Sequence, residues 1–164
     1  QGVPGRERRR ATRGRLRGAL MRFFFYGTLL DRDVMALVLG RRLPPAAYAP
    51  AILLGHERRR AKGASYPTLI RNPAARVPGA VVGGLSARDV ARLSAYEGSG
   101  YRIAPLRVLM AGGMTTVSVF EPVVSRRQPG PEPWSLLLWQ QRDKRAFIGR
   151  LRRAFNARPA YSTP

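Results

Sequence analysis

Arg22-Phe23-Phe24-Phe25-Tyr26 is a run of aromatic residues closed at once by Gly27. Aromatic side chains favour the pleated strand, and a short apolar run bounded by glycine reads as a buried strand ending in a turn. Just beyond it Asp31 can cap a helix on which Val34, Leu37 and Val38 share one face, and Gly40 stops it. The order strand, glycine turn, helix constrains everything that follows.

Pro44-Pro45 marks a connection, and the stretch from Ala46 to His56 reads as a second strand through Ile52-Leu53-Leu54. From Arg58 to Ala80 arginine, glycine and proline dominate, so a long loop is expected there, with one short strand at Thr68-Leu69-Ile70. Ala80 to Leu85 looks like a buried strand, and Ser86-Ala87-Arg88-Asp89 is a capping-box variant opening a helix of three turns that stops at Gly98. Tyr101 to Met110 and Met114 to Val124 have strand character, and Gly112-Gly113 joins them as a hairpin. A linker follows from Pro129 to Pro133. Ser135 then caps one long helix reaching about Asn156, with Phe147, Ile148, Leu151 and Phe155 on one face. Strands outnumber helices without regular alternation, so the expected class is α+β.

With 164 residues, 45% of them hydrophobic, the chain has material for one sizeable core. A single domain is expected over residues 21–158, with 159–164 a flexible tail. No run approaches the roughly twenty apolar residues of a membrane-spanning helix. The strand-like run begins directly after Met21, which is therefore expected to be the biological start. Residues 1–20 are then a disordered basic leader or an extension foreign to the protein, without the apolar centre of a secretory signal. That segment carries seven arginines against Glu7, so it holds six of the 21 net positive charges and leaves fifteen to the remainder. Only Lys62 and Lys144 are lysines. A bias this strong toward arginine fits an arginine-rich proteome as well as a phosphate-bearing partner. The chain has no cysteine and a single histidine, His56, which excludes disulfides, thiolate metal sites, cysteine nucleophiles and histidine clusters. Acid–base chemistry near neutral pH must lean on carboxylates, and a reducing, cytoplasmic location is favoured.

Two places can carry that chemistry. On the helix after Leu85, Val90, Leu93 and Glu97 stand at i, i+3 and i+7, and seven residues return to within about 20° of the starting direction. Glu97 thus shares the core-facing side, where desolvation would tune a carboxyl upward into a proton shuttle. On spacing alone, a helix-end glutamate turned to solvent is the favoured reading. The second place is Tyr26-Gly27-Thr28-Leu29, whose backbone N–H groups and adjoining helix start can hold a carboxylate or an oxyanion. Taken by itself it is also an ordinary strand-to-helix turn. His56 is expected to have no chemistry, Arg58-Arg59-Arg60 to be a solvated loop face, and Trp134 and Trp139 to be packing residues.

Taken together, these segments fall into a known order. Phe24-Phe25-Tyr26-Gly27-Thr28-Leu29 resembles the first-strand signature of the gamma-glutamylcyclotransferase-like family, of the gamma-glutamylamine cyclotransferase type. Leu93-Ser94-Ala95-Tyr96-Glu97-Gly98 with Tyr101-Arg102 resembles its second signature. Leu54-Gly55, Gly63, Tyr66-Pro67 and Val82-Gly83-Gly84-Leu85 lie between them in the family's sequence, so the likeness spans Phe23 to Val108. Ser94 departs from it, standing where the family commonly has aspartate, and the connecting loop is unusually rich in arginine.

The resemblance implies a small mixed, barrel-like sheet flanked by helices. It implies that Tyr26, Gly27, Thr28 and Leu29 bind a glutamyl group, that Tyr101 belongs to the pocket, and that Glu97 is the acid–base residue. The expected reaction closes the γ-glutamyl group of a small γ-glutamyl amine or amino acid into 5-oxoproline and releases the amine, with no metal or organic cofactor. The expected partner is that small molecule; neither a membrane nor nucleic acid is, and the oligomeric state is open. A non-catalytic metabolite-binding protein on the same fold and, further off, a basic nucleic-acid-binding protein are the competing readings.

Overall fold

The computed structural model describes residues 20–123 and 128–157. The expectations for the leader, Leu20 apart, and for the tail from 159 onward lie outside them. β1 (Met21–Phe25) is the aromatic strand, with Phe23, Phe24 and Phe25 all buried. A short helical turn at Thr28–Leu30 leads to α1 (Arg32–Leu39). The Asp31 carboxylate accepts from the N–H groups of Asp33 and Val34, and Gly40 closes the helix in the left-handed conformation. Val34, Met35, Val38 and Leu39 form the buried face, so Leu37 lies to its side.

The largest correction concerns residues 58–80. Instead of a loop, β2 (Tyr48–Ala61) and β3 (Pro67–Leu85) form one long antiparallel hairpin, paired from Tyr48↔Val82 at the base to Arg60↔Pro67 at the tip. The register jumps from Leu54↔Arg76 to His56↔Arg71, so Gly55, at φ 72°, faces a bulge containing Pro73. Bulges accommodate prolines that a regular ladder would reject. β3 continues into the expected strand and ends at Leu85; the side chain of Ser86, the next residue, and Asp89 make a reciprocal capping box for α2 (Ala87–Glu97).

β4 (Tyr101–Met110) and β5 (Gly113–Pro122) are the expected hairpin. Pro129–Pro133, read as a linker, is a sixth strand, β6, pairing with β2 as Arg59↔Pro133 and Ala61↔Pro129. Its prolines are tolerated because, among the described residues, it has one neighbour only, at the sheet edge. The single long helix is two: α3 (Leu136–Arg142), capped by Ser135, and α4 (Lys144–Asn156). Asp143 stands at the break, gripped by the Arg60 guanidinium at 2.8 Å and 3.1 Å.

The sheet is mixed, as expected for the class. Its strands run β3-β1-β5-β4-β2-β6, with a further β2–β3 pairing that closes five of them into a ring, and β1–β5 is the parallel contact. Alternate residues of β1 feed two cores. Phe24 packs with Ala51, Leu53, Val77, Val81, Val108 and Val117, whereas Phe23 and Phe25 face the helices together with Val34, Met35, Leu85, Leu93, Trp134 and Trp139. Among the described residues no helix is long and apolar enough to cross a membrane.

Candidate active site

β1 delivers Tyr26 and Gly27 at the end of the ring. The helical turn that follows uses its carbonyls internally: Leu30 N–H donates to Gly27 O and Asp31 N–H to Thr28 O, both at 3.0 Å. The N–H groups of Gly27, Thr28 and Leu29 are left with no acceptor among the described residues. Three successive open amides offer donors that an oxyanion or a carboxylate can take up. A Cβ at position 27 would meet Pro67 Cγ at 3.2 Å and Cδ at 3.4 Å, so any larger residue there would push the proline aside by a few tenths of an ångström. The tip of the β2–β3 hairpin thereby closes over the turn.

α2 approaches from the other side. Its capping box fixes the start, buried Val90 and Leu93 fix the rotation, and Glu97 follows as the last helical residue, half-buried. Tyr96 OH lies 3.2 Å from Thr28 Oγ1, which ties the helix end to the turn. Tyr101 enters from the first residue of β4. Together they line a cavity of about 580 Å³ that holds every residue named from the sequence: Tyr26, Gly27, Thr28, Leu29, Glu97 and Tyr101. Glu97 is the one carboxylate among the described residues lining it.

Sequence reasoning missed three contributors. Gly63 to Pro67 arrive from the hairpin tip, which was read as loop, and α4 presents Phe147, Arg150, Leu151 and Ala154 along one side. Tyr96 also lines the cavity, and its position beside Glu97 in the second signature was the available signal. Burial, followed by the neighbouring Tyr101 and the charge of Glu97, raises the Tyr26 hydroxyl well above its ordinary value. Burial likewise pushes Tyr96 up to about 12, against the opposing hydrogen bond with Thr28. Both phenols are therefore protonated near neutral pH.

Behind the turn the structure is saturated with charge pairs. Asp31 is 1% exposed and accepts from Gln140 Nε2 at 2.8 Å and Lys144 Nζ at 2.9 Å, in addition to its two helix amides. Burial alone would raise its carboxyl, but the bonds from Gln140, Lys144 and Val34 N–H hold it below the usual range. Bonds from Arg42 and Lys144 hold Asp33 at about 2. Asp31, Asp33, Gln140 and Lys144 border a second hollow of about 570 Å³.

The arginine run is not a solvated loop face. Arg58 is half-buried and donates to the carbonyls of Tyr26, Pro78 and Trp134, Arg59 pairs with Glu57 at 2.6 Å, and Arg60 holds Asp143. His56 Nδ1 lies 2.9 Å from Leu54 O, away from both hollows. Trp134 and Trp139 are buried, and Trp134 Nε1 donates to Ser65 O at 2.8 Å, which steadies the hairpin tip. Among the described residues no three His, Asp or Glu side chains gather as a metal ion would need.

A ring-paired mixed sheet with a cavity where its first strand turns into a helix places the chain with the α+β proteins of the cyclotransferase fold. The chain belongs to the family described as "Gamma-glutamyl cyclotransferase, AIG2-like", whose model matches residues 23–137. It is 28% identical over 128 residues to "AIG2-like protein C" of Arabidopsis thaliana, covering 76% of this chain and 72% of that one. Over 96 residues it is 30% identical to "Protein AIG2 C" of the same plant, covering 58% and 56%. Among solved structures, an Arabidopsis thaliana protein determined in solution superposes with TM-score 0.59 at 23% identity, covering 88% of each chain. A structure titled "Gamma-glutamyl cyclotransferase" does so at 0.54 and 18%, covering 89% of this chain and 92% of that one.

Proposed function

We propose that this protein is a cyclotransferase acting on small γ-glutamyl amines or γ-glutamyl amino acids, releasing 5-oxoproline. The observation that carries the reading is the meeting, in one cavity, of a single carboxylate from α2 with the open amides of the Gly27 turn. A γ-glutamyl compound brings its own nucleophile. Its α-amine attacks the side-chain carbonyl carbon, a five-membered ring closes, and the bond to the leaving nitrogen breaks. No cysteine or serine nucleophile is needed, because holding the substrate folded supplies rate through proximity.

On becoming the lactam N–H the α-ammonium gives up two protons; Glu97 takes them in turn and passes them to the leaving nitrogen, which departs as an ammonium, so protons balance over the cycle. The turn amides receive the charge that develops on the attacked carbonyl oxygen. A cavity of about 580 Å³ falls within the range that encloses ligands of this size. The test is a screen of γ-glutamyl amines, γ-glutamyl amino acids and glutathione for 5-oxoproline release, followed by Glu97→Gln on the best substrate. The nearly isosteric amide keeps the fold but cannot carry the proton, so turnover is expected to fall at least about 10²-fold. Parental turnover in a folded Glu97→Gln protein would remove Glu97 from the chemistry. Glu97→Asp then separates charge from reach. A γ-glutamyl compound that raises the melting temperature and is never converted would instead indicate a binding protein.

A further inference from the structure

We propose that Arg58 is a positioning residue that strengthens the Gly27 N–H as an oxyanion donor by hydrogen bonding to the other side of the same peptide group. The inference rests on the cyclisation reading above and assigns the turn a source of positive charge.

Arg58 Nη1 donates to Tyr26 O at 2.8 Å and to Pro78 O at 3.0 Å, while Nε donates to Trp134 O at 3.1 Å. Its guanidinium lies 4.9 Å from the centre of the Trp134 ring. Among the described residues no carboxylate pairs with it. Burial pushes the group down to about 10, which still leaves it cationic near neutral pH. A half-buried charged group whose Nε and Nη1 hydrogen bonds go to backbone carbonyls, with no carboxylate paired to it, is costly to keep unless its charge is put to use.

The peptide bond between Tyr26 and Gly27 is trans, so its C=O and N–H point in opposite directions. Arg58 borders the second hollow, on the carbonyl side, whereas Gly27 lines the 580 Å³ cavity. The Gly27 N–H therefore points away from Arg58, toward the substrate side, and has no acceptor among the described residues. A cation on the carbonyl draws electron density through the peptide group and makes its N–H a better donor, as in any hydrogen-bonded chain of amides. The effect matters most when negative charge develops on the substrate oxygen, so Arg58 belongs to the transition state more than to substrate binding.

The test combines kinetics with NMR. Arg58→Gln is expected to lower turnover about tenfold or more while KM stays within about twofold, and Arg58→Lys, which keeps the charge, to recover part of the loss. The Tyr26 carbonyl and Gly27 amide resonances are expected to move together in Arg58→Gln. In the parent protein, 5-oxoproline is the probe, because its lactam oxygen is the oxygen of the carbonyl attacked in the reaction. Its binding is expected to shift the Gly27 amide proton downfield. Parental turnover in folded Arg58→Gln, or a loss confined to KM, overturns the proposal. If Arg58→Gln unfolds, the parent spectrum decides: 5-oxoproline that perturbs other cavity residues and leaves the Gly27 amide unmoved overturns it. A parent protein that releases no 5-oxoproline from any γ-glutamyl compound defeats the assigned reaction, and the same Gly27 shift then decides the hydrogen-bond assignment separately.

Discussion

The two hollows on either side of the Tyr26–Leu30 turn are nearly equal in size, about 580 and 570 Å³, and opposite in character. On one side Asp31, Asp33, Lys144, Gln140 and Arg42 satisfy one another at 2.6 to 2.9 Å. On the other, three backbone amides have no acceptor among the described residues, and two tyrosines keep their protons. Volume does not separate a candidate site from a buttress here. Hydrogen-bonding capacity left over for a visitor does.

That contrast can be broken from either side. Its largest expected effect is the loss of at least about 10²-fold in turnover for Glu97→Gln, with little change in melting. On the buttress side, Asp31→Ala removes a helix cap and a buried carboxylate shared by Gln140 and Lys144. It is expected to cost about 2–3 kcal/mol in denaturant unfolding, while turnover per folded molecule changes much less. A protein that melts normally but no longer turns over would invert the comparison.

Acid should weaken the same side. Asp31 and Asp33 titrate below their unfolded values, Asp33 at about 2. A carboxylate with a depressed folded value adds stability above its unfolded value near 4 and loses it as pH falls through the folded one. The melting temperature is therefore expected to drop between about pH 4 and pH 2, and a Lys144→Met, Arg42→Met double variant to drop less over that interval. Thr28→Val sharpens the comparison at the join, for it removes the bond to Tyr96 OH. It should cost about 1 kcal/mol and raise KM, as measured by unfolding and steady-state kinetics. The smallest effect is that of His56→Ala, expected to lie within about 0.5 kcal/mol of the parent with unchanged turnover.

The local signals were legible in the residues themselves. Asp31, the Ser86/Asp89 box and Gly112-Gly113 each act within a few positions of the chain, and the structure has a cap, a capping box and a hairpin there. What was missed depends on contacts distant in sequence. The long hairpin looks like loop because arginine and proline fill it, yet Arg58, Arg59 and Arg60 each find partners that a sequence window does not contain. Asp143 breaks the last helix without proline or glycine because Arg60, 83 positions away, holds it. The cavity was half legible for the same reason: its turn and Glu97 sit in short signatures, whereas the hairpin tip and Arg150 reach it only through the fold.

The parallel contact of β1 with β5 also has a temporal consequence. β1 is made first among these strands, yet its neighbour across Phe23↔Ser118 is among the last. At about 5–20 residues per second of synthesis, the Phe23-Phe24-Phe25 strand waits on the order of ten seconds before that side can close. The β4–β5 hairpin can form by itself, from neighbouring chain, and then dock as a unit. Ring closure is thus the step with the longest loop to bridge, and the expected place for folding to be slow. Until it happens, an aromatic strand has one bare edge, which makes the newly made chain, rather than the finished protein, the form most exposed to misassociation.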